Sequence, residues 1–98
     1  MKISSFYYID YPDSLPTDPL FASSEVYVEV SGTDGDINNF DLTYAFTVCT
    51  IEFVRRSLSI EHFFSARSVV VVDRFDDHTI KNALEAILPK INTLGLLK

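Results

Sequence analysis

Two stretches of the chain alternate between apolar and polar positions with the two-residue period of a strand. From Glu25 to Val30, Val26, Val28 and Val30 point one way, and Glu25, Tyr27 and Glu29 point the other. From Phe40 to Thr50, the inward set is Phe40, Leu42, Tyr44, Phe46 and Val48. The outward set is Asp41, Thr43, Ala45, Thr47 and Cys49. Between the two runs, Gly32-Thr33-Asp34-Gly35-Asp36, extended by Asn38-Asn39, has the chemistry of a turn, which predicts a hairpin. Both inward sets are even-numbered, so the faces match only when paired residues sum to an even number. One such register sets Val30 opposite Leu42, Val28 opposite Tyr44 and Val26 opposite Phe46. It places Glu29 beside Thr43, Tyr27 beside Ala45 and Glu25 beside Thr47 on the other face.

The remaining elements follow from composition and caps. Lys2–Tyr11 is rich in aromatics and isoleucine and predicts a strand. Pro12, Pro16 and Pro19 then exclude a regular ladder or helix and predict an acidic, ordered loop, anchored to the core by Leu20 and Phe21. Thr50 is a good N-cap for a short helix from Ile51 to about Leu58. Ser59–Ala66 has no clear period. The four valines Val69–Val72 predict a central strand covered on both faces. Asp76 or Asp77 caps a last helix, in which Ile80, Leu84, Ile87, Leu88, Ile91 and Leu94 form one apolar stripe. Pro89 predicts a break near Leu88, and Gly95 suits a stop. The fold class is α+β. An antiparallel sheet of about four strands carries the C-terminal helix on one face, with a short helix before the last strand.

With 98 residues, the chain is long enough for one domain, spanning 1–98. Hydrophobic residues make up 47% and charged residues 22%, a globular balance that excludes wholesale disorder. The longest apolar run, Val69–Val72, is far below the roughly 20 residues of a membrane span. A single cysteine, Cys49, excludes an internal disulfide and a multi-cysteine zinc site. With no apolar run behind Met1-Lys2-Ile3-Ser4-Ser5, the expectation is a cytoplasmic protein.

Charge changes the picture most. The net charge is −6, and its placement is uneven. Residues 1–48 hold one base, Lys2, against eight acids: Asp10, Asp13, Asp18, Glu25, Glu29, Asp34, Asp36 and Asp41. Residues 49–98 are close to balanced, with seven bases and six acids. An acidic half repels nucleic acid and anionic membranes and attracts basic partners; solubility alone is the plainer explanation.

No catalytic constellation is legible. His62 and His78 lie 16 residues apart without a metal-ligand spacing. Asp76-Asp77-His78 is explained by helix capping. Cys49 lies near a helix start but has no nameable histidine partner, so it reads as structural. Gly32-Thr33-Asp34-Gly35 is neither a phosphate loop nor a calcium loop. Arg55, Arg56, Arg67 and Arg74 are too sparse for a nucleic-acid surface. No cofactor, metal or catalytic residue is expected. Tyr7, Tyr8, Tyr11 and Tyr27 among acids suit either a protein interface or a half-buried core.

Four segments resemble the immunity-protein-eight type of bacterial polymorphic toxin systems. They are Pro16-Thr17-Asp18-Pro19-Leu20-Phe21, the Gly32-Thr33-Asp34-Gly35 turn with Phe40-Asp41, Phe46-Thr47-Val48-Cys49-Thr50, and Ser65-Ala66-Arg67 before the valine run that leads to Arg74-Phe75-Asp76. The chain departs from the family pattern at Ile51, where proline is favoured, and in having no tryptophan. The resemblance implies a small cytosolic inhibitor of a cognate toxin domain, in contact-dependent inhibition or a similar system. The expected partner is a basic domain, a nuclease such as an RNase, with its groove occluded by acid. Neither direct nucleic-acid nor membrane binding is expected, and the sequence leaves the oligomeric state open. The other function class is a non-catalytic adaptor or structural subunit. The expected partner surface is the outward hairpin face, Glu25, Tyr27, Glu29 and Asp41, joined by Asp13, Asp18, Asp34 and Asp36 from adjoining loops. The flanks are needed because a standard interface takes about 800 Å² from each partner.

Overall fold

A computed structural model describes residues 2–34 and 38–88. Its elements are β1 (Lys2–Tyr8), β2 (Ser23–Asp34), β3 (Asn38–Thr50), α1 (Ile51–Glu61), β4 (Val69–Val72) and α2 (Asp77–Ile87). The strands form one sheet in the order β1-β2-β3-β4. The α+β class therefore holds, with one correction to the all-antiparallel expectation. β1, β2 and β3 are antiparallel neighbours, whereas β4 runs parallel to β3. The reason is connectivity: α1 lies between β3 and β4 and carries the chain back to the start of a parallel strand.

The hairpin has the expected register: Val30 faces Leu42, Val28 faces Tyr44 and Val26 faces Phe46. Pairing runs further than the turn residues suggest, through Gly32, Thr33 and Asp34 to the pair Asp34–Asn38. Residues 35–37, including Asp36, lie outside the described residues, as do Pro89, Ile91, Leu94 and Gly95. Leu42 has inward parity but is 42% exposed. The eleven residues of α2 span about 16 Å, whereas the twelve of β2 span about 40 Å. Among the described residues, helical cover therefore thins toward the hairpin end.

β1 keeps its aromatic residues on the right faces through a bulge. The register steps between Ile3 and Ser5, so Ile3, Phe6 and Tyr8 face the core while Ser5 and Tyr7 face outward. The core packs Val26, Val28, Phe46 and Val48 of the sheet with Ile80 and Leu84 of α2, and Phe75, from the segment before that helix, joins them. Asp76 is the N-cap: its side chain accepts from the Thr79 N–H at 2.8 Å. That bond, helped by Arg74 at 3.0 Å, holds the Asp76 carboxyl below the usual carboxylate range.

Three expectations fail in detail. The valine strand is an edge, not a central strand: Val70 and Val72 are buried, but Val71 is 51% exposed. α1 extends beyond Leu58 to Glu61, and His62 closes it in the left-handed conformation (φ 67°) with its N–H bonded to Leu58. Leu20 is exposed, so the loop is anchored without it. Phe21 packs on Phe53, and the Phe75 N–H bonds to the Pro19 carbonyl at 2.7 Å.

Thr50 ties three elements together. Its hydroxyl accepts from the Ala22 N–H at 3.1 Å and the Phe53 N–H at 3.3 Å, and the residue is fully buried. Thr50→Val keeps the volume and strands both donors. We expect it to lower unfolding free energy by about 2 kcal/mol in urea denaturation, with Thr50→Ser recovering most of the loss.

Candidate functional site

One side of the sheet is covered by α2, and on the other a band across β1, β2 and β3 is open. The band is built by strand alternation. Tyr7, Tyr27 and Ala45 lie side by side across the three strands, and Ser5, Glu29 and Thr43 form the next row. Glu25 lies opposite Thr47 one row on. Glu25 and Glu29 are exposed, Tyr27 is half-buried and Tyr7 is 46% exposed. The Tyr7 and Tyr27 rings meet at 5.7 Å between centroids, which makes a rigid aromatic pair flanked by two carboxylates. Glu29 also accepts from the Ser5 hydroxyl at 3.1 Å, which fixes its direction across the band. The far end of this face closes where α1 begins. Phe53 packs on Phe21 and Phe64, and Arg56 stands over the Phe21 ring at 5.3 Å.

Of the eight expected partner residues, Asp36 lies outside the described residues, and the other seven do not lie together. Glu25, Tyr27 and Glu29 are together. Asp41 occupies the register position opposite Ser31, and Asp34 the last described pair of the hairpin. Asp34 lies nine positions along the strand from Glu25, a distance of about 30 Å. Asp13 and Asp18 lie at the opposite end, in the proline loop. There Asp18 bonds within its own turn, its carboxylate accepting from the Leu20 N–H at 3.0 Å. The site is therefore smaller than expected and less acidic. Tyr7 is the gain. Only the β1–β2 register and the bulge assign its face, and the sequence signals neither.

Tyr8 takes the bland alternative: it is buried in the core, and its hydroxyl donates to Asp77 at 2.5 Å. Burial first, then the bond to Asp77 and the carboxylate's charge, raise the phenol well above its ordinary value. Tyr11 packs edge-on against Phe75.

The candidate chemical groups have structural surroundings. His62 is the exposed cap of α1, and His78 is exposed beside Asn82 in the first turn of α2. Among the described residues, no group of three His, Cys, Asp or Glu side chains is arranged to hold a metal. No described helix is long and apolar enough to cross a membrane. Cys49 has outward parity yet is completely buried, and burial pushes its thiol up. We expect native protein to leave a thiol reagent such as DTNB unreacted, and to titrate one thiol after denaturation. A rapid native reaction would contradict this placement.

Compared with protein-family models, curated proteins and solved structures, the chain matches none, so the resemblance to the immunity-protein-eight type stands on the quoted segments alone.

Proposed function

We propose that the protein is a cytoplasmic immunity protein that binds a cognate nuclease toxin domain and blocks its basic groove. The observation that carries this reading is the open band in which Glu25 and Glu29 flank the Tyr7–Tyr27 pair. A nuclease groove must be basic to hold phosphates. Carboxylates spaced along a strand offer that groove a substitute for phosphate, and the tyrosines supply contact area at low entropy cost. Nothing in this mode of action needs a catalytic residue or a cofactor on the inhibitor.

The direct test is co-purification of the chain with the product of the adjacent gene, followed by RNA and DNA cleavage with and without the chain. A stable complex that silences cleavage supports the proposal; the absence of a complex, or unaffected cleavage, rejects it. Association should also slow as salt rises, because charges beyond about 8 Å are screened near 0.15 M and steering acts on the on-rate. A flat on-rate from 0.05 to 0.5 M salt, in stopped-flow measurements on an order-of-magnitude scale, would remove the electrostatic part of the proposal.

A second reading, a non-catalytic adaptor, is favoured by one different observation. α1 has no buried residue and exposes Ile51, Leu58 and Ile60, with Phe63 exposed just beyond it. An adaptor would use this apolar face and be indifferent to charge reversal on the sheet.

A further inference from the structure

Beside β1 lies a groove of about 340 Å³, lined by Phe6, Tyr7, Tyr8, Tyr11 and Leu15, with Asp13 and Asp77 at its polar side. We propose that it receives the guanidinium of an arginine side chain carried by a partner protein. The inference goes beyond the immunity reading and stands without it, since the groove shares only Tyr7 with the open band and needs only a cation of this shape.

The walls and the charges both select for such a group. Four aromatic side chains line the groove, and among the described residues no lysine or arginine does. Tyr8 and Tyr11 are held by Phe75, at 5.2 and 5.6 Å between ring centroids, so their rings are fixed before any ligand arrives. Asp77 Oδ1 accepts from the Tyr8 hydroxyl, which orients the carboxylate and leaves Oδ2 for an incoming donor. Asp13 is exposed on the loop across the groove. A guanidinium is flat enough to lie on tyrosine faces while its N–H fork meets a carboxylate, and it sheds water more easily than an ammonium. The protein already uses this pairing within itself, where Arg56 stands over Phe21.

The position of the groove indicates a peptide source. Among the described residues β1 is an edge of the sheet, and an edge strand offers main-chain donors and acceptors for pairing. A partner segment lying along this edge would gain backbone pairing while its arginine enters the slot. A free amino acid gains only the slot.

The test is an NMR titration of the intact protein with the tripeptide N-acetyl-Val-Arg-Val-amide. Its citrulline counterpart serves as the uncharged isostere, and free L-arginine as the second source. The expected result is saturable shifts at the amides of Tyr7–Leu15 and Asp77 with the arginine peptide, weaker binding of L-arginine, and none of the citrulline peptide. Asp13→Asn, a change at an exposed loop position, should weaken the peptide about fivefold, the loss of one charge-assisted contact. Equal binding of the citrulline peptide, no saturation, shifts centred on Glu25 and Glu29, or an unchanged affinity in Asp13→Asn would each overturn the assignment. Free L-arginine binding as tightly as the peptide would overturn the partner-protein source. None of these readouts uses the toxin, so failure here leaves the immunity reading untouched, and the reverse also holds.

Discussion

Under the proposed immunity function, reversing Glu25 and Glu29 to lysine should weaken binding of the cognate toxin domain at least about 100-fold while leaving thermal stability nearly unchanged. The stability half of this expectation comes from exposure. Both side chains stand on the open face of β2, and the partner of Glu29, the Ser5 hydroxyl, is itself exposed. Surface changes of this kind usually fall within about 0.5 kcal/mol. The binding half comes from position. The two carboxylates lie four residues apart on one strand and flank the aromatic pair of Tyr7 and Tyr27, so a groove pressed onto the tyrosines must desolvate both. Placing two cations there leaves the partner's own cations facing like charge, and each such contact at a desolvated centre costs several kcal/mol. Lys81→Glu, on the exposed side of α2, is the matched control and should change affinity little. Full affinity in a folded double reversal would move the partner site to α1, where Ile51, Leu58 and Ile60 are exposed.

The parts of the fold that rest on short-range rules were legible in the sequence. Strand alternation limited the hairpin to even-sum registers, of which the one setting Val30 opposite Leu42 is found, and side-chain chemistry pointed to Thr50 and to Asp76 or Asp77 as helix starts, the second being Asp76. Features decided by distant neighbours were not. The four valines from Val69 to Val72 read as a doubly covered strand, because β-branched density reports strand preference and not the number of neighbours. Their place at the edge follows from the α1 crossover, which no local pattern encodes. The same holds for the candidate site. Glu25, Tyr27 and Glu29 share a face by parity alone, so the sequence suffices for them. Asp13, Asp18 and Asp34 are near neighbours of the hairpin in sequence but lie at its two ends in space, because a long hairpin separates its base from its tip. Tyr7 joined the site through a one-residue bulge, a feature with no composition signal here. Net charge by half-chain therefore overstated how concentrated the acid would be.

Phe75→Ala should be the most destabilising single truncation near the proline loop, costing about 3–5 kcal/mol out of the 5–15 that hold a domain of this size together. Phe75 is 1% exposed and serves three elements at once. Its ring packs on Tyr8 of β1 and on Tyr11 at the start of the loop. Its N–H bonds to the Pro19 carbonyl near the loop's end. Its neighbour Asp76 caps α2. Truncation to alanine leaves a cavity that the loop cannot easily fill, because Pro12, Pro16 and Pro19 restrict how the chain can collapse into it. In a domain of about 100 residues, each kcal/mol moves the melting temperature by roughly 4–8 °C, so a drop of about 20 °C is expected in circular-dichroism melts. Phe63→Ala is the internal comparison. The same residue type is removed, but Phe63 is 62% exposed just past α1, and the expected loss is within about 0.5 kcal/mol. Phe75→Leu retains most of the fill and should recover more than half of the stability lost by alanine. Equal effects of the two phenylalanine truncations would mean that the loop is not wedged onto the core by Phe75. The aromatic groove beside β1 would then lack the fixed wall on which its selectivity depends.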